Sequence, residues 1–144
     1  TRYLASEPER GHVIVFHSPA NEGDLLVKRI AGLPGDLVDS RLGRLRIGGH
    51  TVPEPYVLHP AMTGAIPAQI VPAGAYFVLG DHREDSVDSR SWGFVPRDHI
   101  VGRARMVLWS SSTSGREIAL ADGEAAAAAA ARARSRGRVF KWIE

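Results

Sequence analysis

Short apolar runs alternate with turn residues through most of the chain, and this pattern is typical of β structure. The runs are a few residues long and rich in Val, Ile, Leu, Tyr and Phe, with Gly and Pro between them. They predict strands at residues 12–16, 25–30, 76–79 and 100–109, and a hairpin over 45–52 that turns at Gly48 and Gly49. The sequence therefore predicts a mainly β fold.

Two segments interrupt the strands. Gly-Leu-Pro-Gly-Asp at residues 32–36 predicts a sharp break after the second strand, with two glycines available for positive φ. Residues 53–74 are rich in proline and only lightly apolar, which predicts a long connection or part of a small insertion. Residues 1–9 are polar and predict an irregular lead-in, and residues 112–144 form a tail.

The tail differs in composition from the rest. A polar, flexible break precedes Glu124, which is followed by seven alanines and then by spaced arginines. Alanine is the strongest helix former, and these charges complement a helix dipole. The tail is thus predicted to hold an Ala-rich helix and a basic end, whose final residues 139–143 dock on the body or touch a lipid interface.

Composition excludes several classes of protein. Eighteen basic residues against sixteen acidic ones give no case for nucleic acid as a partner, and the absence of cysteine excludes disulfides and cysteine catalysis. The six histidines are scattered without ligand spacing, so neither a metal nor another cofactor is predicted. No apolar run is long enough to cross a bilayer. Because the first residue is Thr1, we expect a fragment or a processed product.

One lysine lies within the second predicted strand. Because side chains alternate in a strand, Lys28 shares its face with Leu26 and Ile30. Removal from water would lower the pKa of this amine and favour its neutral form. The alternative is a lysine that extends from a sheet edge into solvent.

The most polar stretch, residues 80–90, lies between two apolar segments. It contains four carboxylates, two arginines, a histidine and two serines. These groups must bond one another or face a cleft, because a core cannot leave them unpaired. Asp88 and Arg90 are close enough to form a charge-assisted pair, which would leave the Ser86 hydroxyl free to orient another group. A solvated turn is the alternative.

Three stretches together resemble the bacterial type I signal peptidases, the Ser-Lys endopeptidases that remove leader peptides from exported proteins. Residues 10–16 resemble the family's Arg-Gly-Asp-Val-Val-Val-Phe strand, and residues 28–36 resemble its Lys-Arg-Val-Ile-Gly-Leu-Pro-Gly-Asp stretch. Residues 80–90 resemble its Gly-Asp-Asn-Arg-Asp-Asn-Ser-x-Asp-Ser-Arg loop, and Trp92 to Pro96 continue the match. The resemblance implies a β fold with curved sheets around a peptide cleft, as in signal peptidases and repressor-type proteases. It also implies a core formed by residues 10–36 and 75–111, with a small inserted subdomain or connection over residues 37–74.

The resemblance also implies roles for individual residues. Lys28 matches the general base, and Ser86 matches the serine that hydrogen-bonds and aims the lysine amine. The predicted loop-bracing residues are Asp81, Asp88, Arg90 and Arg29. The predicted substrate-binding residues, which would line a cleft that holds an extended peptide with an Ala-x-Ala site, are Asp24, Leu26 and Val27.

The family's nucleophilic serine lies in a Ser-Met-Pro motif upstream of the first matched strand. No such motif occurs here, because Ser6 is followed by Glu7 in place of the methionine, although Pro8 stands at the position of the proline. We therefore predict that this chain alone does not cleave leader peptides. The implied location is the outer, periplasmic face of the bacterial inner membrane, with the membrane surface and the signal peptides of preproteins as partners.

Two other functions remain open. A non-catalytic relative would keep the cleft and hold extended peptides without cutting them. A Ser-Lys self-cleaving repressor-type protein would carry a scissile Ala-Gly in an upstream arm, and the Gly-Asp-x-Arg loop argues against it.

Overall fold

A computed structural model describes residues 6–21, 23–57 and 64–104, which form two antiparallel sheets. The strands in chain order are β1 (Val13–His17), β2 (Leu25–Gly32), β3 (Leu37–Arg41), β4 (Arg44–Ile47), β5 (His50–Thr51), β6 (Gln69–Ile70), β7 (Ala75–Leu79), β8 (Val95–Pro96) and β9 (Ile100–Ala104). The first sheet has the order β8-β7-β2-β1-β9, and the second has the order β5-β4-β3-β6. The mainly β prediction is confirmed.

Strand β7 is buried along its whole length because both of its faces are covered. Tyr76 and Val78 belong to one apolar cluster, and Phe77 and Leu79 belong to another. Since neighbouring side chains point to opposite faces, the two clusters lie on opposite faces of the first sheet. We call them the Phe16 cluster (Ile14, Phe16, Ile30, Tyr76, Val78, Val95, Ile100) and the inter-sheet cluster (Ala31, Val38, Leu45, Ile66, Val71, Phe77, Leu79).

The predicted break over residues 32–36 is present, but its first residue still belongs to the strand. Strand β2 continues through Gly32, and the turn follows at Pro34 and Gly35, where Gly35 has φ +85°. Gly32 is needed for space instead, because a Cβ there would lie 2.8 Å from Val38 Cγ2 and 3.1 Å from Phe77 Cβ. The chain thus enters the second sheet through a close contact between the two sheets.

Residues 37–70 supply the second sheet, and its hairpin turns at Gly48 and Gly49 as predicted. Residues 53–74, which were predicted to form a long connection or part of a small insertion, add the short strand β6, and this strand pairs with β3. Whether this sheet is a separate inserted subdomain stays a prediction. The predicted tail over 112–144 and the end of the last predicted strand lie outside the described residues.

The polar stretch after β7 is more regular than a loop. It contains a 3₁₀ turn at Arg83–Asp85 and the short helix α1 at Ser89–Trp92. Asp88 caps α1, since its side chain accepts a hydrogen bond from the backbone N–H of Arg90. Within the described residues, no helix has the length and apolar character needed to cross a membrane.

Candidate active site

Lys28 lies in the middle of β2 and is 3% exposed. Strand alternation puts it on the face of Leu26 and Ile30, and its partner on β1 is Ile14. Ile14 and Ile30 belong to the Phe16 cluster, and Leu26 packs against it. The structure therefore surrounds the stem of this lysine with apolar side chains, as the two-residue period indicates.

Burial lowers the pKa of Lys28 below its ordinary value. The negative charge of Asp88 opposes this shift, whereas the positive charge of Arg90 adds to it. Because the net direction is downward, the neutral amine is more accessible here than on an exposed lysine. Only the neutral amine can accept a proton.

The lysine amine contacts the polar stretch at one hydroxyl. Lys28 Nζ donates a hydrogen bond to Ser86 Oγ at 2.8 Å, although the two residues are 58 positions apart. Ser86 is half-buried and follows the 3₁₀ turn in an extended conformation. This bond fixes the direction of the amine, and in the neutral form the nitrogen lone pair can then point toward a third group.

An ion pair stabilises the segment that carries Ser86. Asp88 is fully buried, and Arg90 donates to it from Nε and from Nη2, both at 2.8 Å. Asp88 Oδ2 also accepts from the backbone N–H of Gly80 at 3.0 Å. Burial alone would raise the pKa of Asp88, but the hydrogen bonds from Arg90 and Gly80 lower it below its usual range.

Arg29, another predicted bracing residue, pairs with a different carboxylate. It binds Asp81 through two contacts, Nε–Oδ1 at 2.8 Å and Nη2–Oδ2 at 2.7 Å, and it donates to the carbonyl of Gly11. The polar stretch is thus connected to β2 twice, by Lys28 to Ser86 and by Arg29 to Asp81. That all four predicted bracing residues serve to hold the loop stays a prediction.

The predicted substrate-binding residues lie at the start of β2. Strand β7 pairs with β2 only from Arg29 to Gly32, so residues 25–28 have no strand partner on that side within the described part of the chain. Leu26 is half-buried, whereas Val27 is 4% exposed and would offer a peptide only its backbone. Asp24 accepts a hydrogen bond from the Asn21 side chain at 2.8 Å.

The pattern of the sequence missed three residues at this site: Gly80, Arg83 and Glu54. Arg83 was one of the charged residues of the polar stretch, but it had no assigned role. Glu54 lies in the segment after β5, and nothing in its local sequence points to a partner 29 residues away. Gly80 is needed because a Cβ there would lie 2.1 Å from Ser86 Oγ and 3.4 Å from Lys28 Nζ.

Gly80→Ala is therefore expected to separate Lys28 Nζ from Ser86 Oγ, because the added methyl group occupies the position of the Ser86 side chain. We expect a loss of about 1–3 kcal/mol in the free energy of unfolding and a changed NMR shift of the Lys28 side chain. Gly32→Ala is the matched control, since it also overpacks a buried glycine but does so between the sheets. An unchanged Lys28 signal in Gly80→Ala would contradict this account.

Comparisons with known proteins agree with the resemblance. The model of the family described as signal peptidase, peptidase S26, matches residues 1–109. A probable signal peptidase I-2 of Synechocystis sp. is 40% identical over 112 residues, covering 74% of this chain and 51% of that protein. Signal peptidase I of Leptolyngbya laminosa is 38% identical over 120 residues, covering 78% and 59%.

A solved structure extends the agreement to the fold. The crystal structure of a signal peptidase I from Enterococcus faecalis V583 matches with a TM-score of 0.61 at 35% identity, covering 68% of this chain and 97% of that chain. Fold and sequence together put the chain among the peptidase families. It belongs to the signal peptidase family, peptidase S26. The chain spans about half to two thirds of the length of the curated relatives it matches.

Proposed function

We propose that this chain carries the general base of a serine endopeptidase that removes signal peptides from exported preproteins. The observation that supports this proposal best is the 2.8 Å hydrogen bond between the buried amine of Lys28 and Ser86 Oγ. A base must be unprotonated near neutral pH, and burial achieves this for a lysine without help from a histidine. In this proposal Lys28 is the catalytic base and Ser86 positions it.

The proposed reaction moves one proton through Lys28. A serine hydroxyl attacks the scissile carbonyl carbon and gives its proton to the neutral amine. The resulting ammonium returns that proton to the leaving amine as the peptide C–N bond breaks. Water then hydrolyses the acyl-enzyme in the same manner. Ser6 is exposed and is followed by Glu7 instead of the motif's methionine, so the proposal assigns the nucleophile to the family's Ser-Met-Pro motif, which this sequence does not contain.

The substrate would bind as an added strand. The edge of β2 at residues 25–28 has no strand partner on the β7 side among the described residues, so its backbone groups are available to an extended peptide. Such a peptide would run past Lys28, with Leu26 contributing apolar surface and Asp24 lying at the start of the strand. Small side chains at an Ala-x-Ala site would fit a shallow cleft of this kind.

The proposed partners are the signal peptides of secretory preproteins. The proposed location is the outer, periplasmic face of the bacterial inner membrane, where such preproteins emerge. Both follow from the family resemblance, and the proposal includes the membrane surface as a neighbour of the cleft.

The test compares two proteins on a synthetic leader peptide with an Ala-x-Ala site. One is this chain, and the other is a chimaera in which the Ser-Met-Pro segment of a relative precedes Thr1. We expect the chain to bind the peptide without cleaving it and the chimaera to cleave it, as measured by fluorescence anisotropy and mass spectrometry.

Other outcomes would change or exclude the proposal. Cleavage by the chain alone that is lost in Lys28→Ala would mean that the nucleophile lies within it. Binding without cleavage by the folded chimaera would favour the non-catalytic peptide-binding relative. Absence of binding by either protein would contradict the peptide cleft itself.

A further inference from the structure

Two ion pairs hold the backbone of Gly80 from its two ends. Its N–H donates to Asp88, the partner of Arg90, at 3.0 Å. Its carbonyl accepts from Arg83 Nε at 2.9 Å, and Arg83 is the partner of Glu54. The Cα of Gly80 faces the hydrogen bond between Lys28 and Ser86. By holding the backbone of Gly80, both ion pairs therefore help to fix the position of that hydrogen bond.

The Glu54–Arg83 ion pair is bidentate and almost completely buried. Arg83 Nη1 lies 2.8 Å from Glu54 Oε2, and Arg83 Nη2 lies 2.6 Å from Glu54 Oε1. The side chains are 2% and 10% exposed, respectively. A guanidinium that is buried to this degree needs a fixed carboxylate, because an uncompensated buried charge is costly. Without Glu54, Arg83 would lose the carboxylate that it binds through two nitrogens, and its hydrogen bond to the carbonyl of Gly80 would weaken.

The same segment also reaches the other side of the site. The Tyr56 hydroxyl donates to Glu54 Oε1 at 3.2 Å, and the Tyr56 ring centre lies 4.0 Å from the Arg29 guanidinium carbon. Arg29 follows Lys28 directly, and Arg83 precedes Ser86 by three positions. The segment after β5 thus contacts a neighbour of each partner in the Lys28–Ser86 contact, and it belongs to the part of the chain that builds the second sheet.

The position of Gly80 is critical because there is no free space between it and Ser86. A single added carbon at Gly80 would come within 2.1 Å of Ser86 Oγ and 2.5 Å of Ser86 Cβ. The backbone and the serine are therefore packed with no free space between them. A shift of Gly80 must be passed on to Ser86, and it would admit water to the amine of Lys28.

We propose that Glu54 is a positioning residue for Lys28 and Ser86, acting through Arg83 and the carbonyl of Gly80. The second sheet then helps to hold the base, in addition to forming part of the fold. This inference rests on the proposed function of Lys28, but its test needs no turnover.

The test uses the fact that the chain contains only two lysines, Lys28 and Lys141. In the Lys141→Arg background, ¹³Cε-labelled lysine gives a single side-chain signal whose pH midpoint is the pKa of Lys28. In Glu54→Gln we expect this midpoint to rise by at least about 0.5 unit toward the ordinary value, because the amine gains water. Loss of the negative charge of Glu54 would by itself lower the pKa of Lys28. The direction of the shift therefore distinguishes a positioning role of Glu54 from a purely electrostatic one.

Asp39→Asn is the matched control. Asp39 and Arg46 also form a bidentate pair in the second sheet, at 2.7 and 2.6 Å, but they lie opposite each other on β3 and β4 rather than in the segment after β5. We expect Asp39→Asn to leave the Lys28 midpoint unchanged. Glu54→Asp, which keeps the charge on a shorter side chain, should give an intermediate midpoint. In the chimaera, Glu54→Gln should lower kcat by about tenfold or more with little change in KM.

A double-mutant cycle with Arg83→Met tests whether Glu54 acts on Lys28 through Arg83. If Glu54 acts through Arg83, the double variant Glu54→Gln, Arg83→Met should have the same Lys28 midpoint as Arg83→Met alone. Additive shifts would exclude this route, and an unchanged midpoint in Glu54→Gln would overturn the inference. If Glu54→Gln does not fold, the midpoint in Glu54→Asp decides: a rise supports the inference and no change overturns it. An ordinary midpoint in the unaltered chain would instead refute the proposed function.

Discussion

Lys28→Met is expected to lower kcat of the chimaera by about 10²–10⁴-fold, which is the usual contribution of a general base. Methionine fills much of the same volume among apolar neighbours, so the fold should be retained. The measurement is the rate of leader-peptide cleavage at saturating substrate, with circular dichroism to show that the variant is folded. A loss of less than tenfold would mean that another group takes the proton.

The same substitution is expected to stabilise the chain near neutral pH. The pKa of Lys28 is lowered in the folded state, so the unfolded chain binds more protons between that pKa and the unfolded value of about 10.4. The free energy of unfolding therefore rises with pH across this window, and the cost of burial disappears above it. Lys28→Met removes that cost.

Urea unfolding at a series of pH values measures this effect. The gain from Lys28→Met should be largest below the folded pKa and should shrink as the pH approaches about 10.4. A gain that did not change with pH would show that it comes from packing rather than from the amine.

Asp88→Asn is expected to lower the free energy of unfolding by about 3–5 kcal/mol, because it breaks a buried ion pair from one side. The carboxylate of Asp88 accepts hydrogen bonds from Arg90 Nε and Nη2, from the Arg90 N–H and from the Gly80 N–H. An amide would direct its NH₂ group at one of these donors. We expect the Lys28–Ser86 contact to loosen as well, since Gly80 loses one of its two anchors.

The effect of Asp88→Asn should also depend on pH. Asp88 has a lowered pKa in the folded state, so its contribution is present above the unfolded value of about 3.9 and is lost as the pH falls through the folded pKa. The difference in stability between the unaltered chain and Asp88→Asn should therefore narrow in acid. Asp39→Asn should give a smaller loss at pH 7, since the side chain of Asp39 is 14% exposed and that of Asp88 is 0% exposed. Equal losses in the two variants would contradict the assignment of Asp88 as a buried anchor.

Features with a local cause could be predicted from the sequence. The burial of Lys28 follows from the two-residue period of its strand, because Leu26 and Ile30 must face the same apolar cluster. The Asp88–Arg90 pair is also local, since the two residues are two positions apart. The family motifs added the partner of the amine, Ser86, which the strand pattern alone could not supply.

Features that depend on distant parts of the chain were missed or misplaced. Arg29 could have paired with any carboxylate of the polar stretch, and the geometry of β2 against β7 selects Asp81, 52 positions away. Glu54 binds Arg83 because the segment after β5 lies against the polar stretch, although the two residues are 29 positions apart. Gly32 looked like a turn residue, yet its role is to leave room for Val38 and Phe77. Neither these two ion pairs nor the close packing at Gly32 can be predicted from the residues next to them in the sequence.

The central claim is that the amine of Lys28 is dry and held by Ser86, and one titration tests it most directly. With ¹³Cε-labelled lysine in the Lys141→Arg background, the Lys28 signal should titrate clearly below the ordinary lysine value of about 10.4. A midpoint at that ordinary value would show a solvated ammonium and would contradict the assignment of Lys28 as the base.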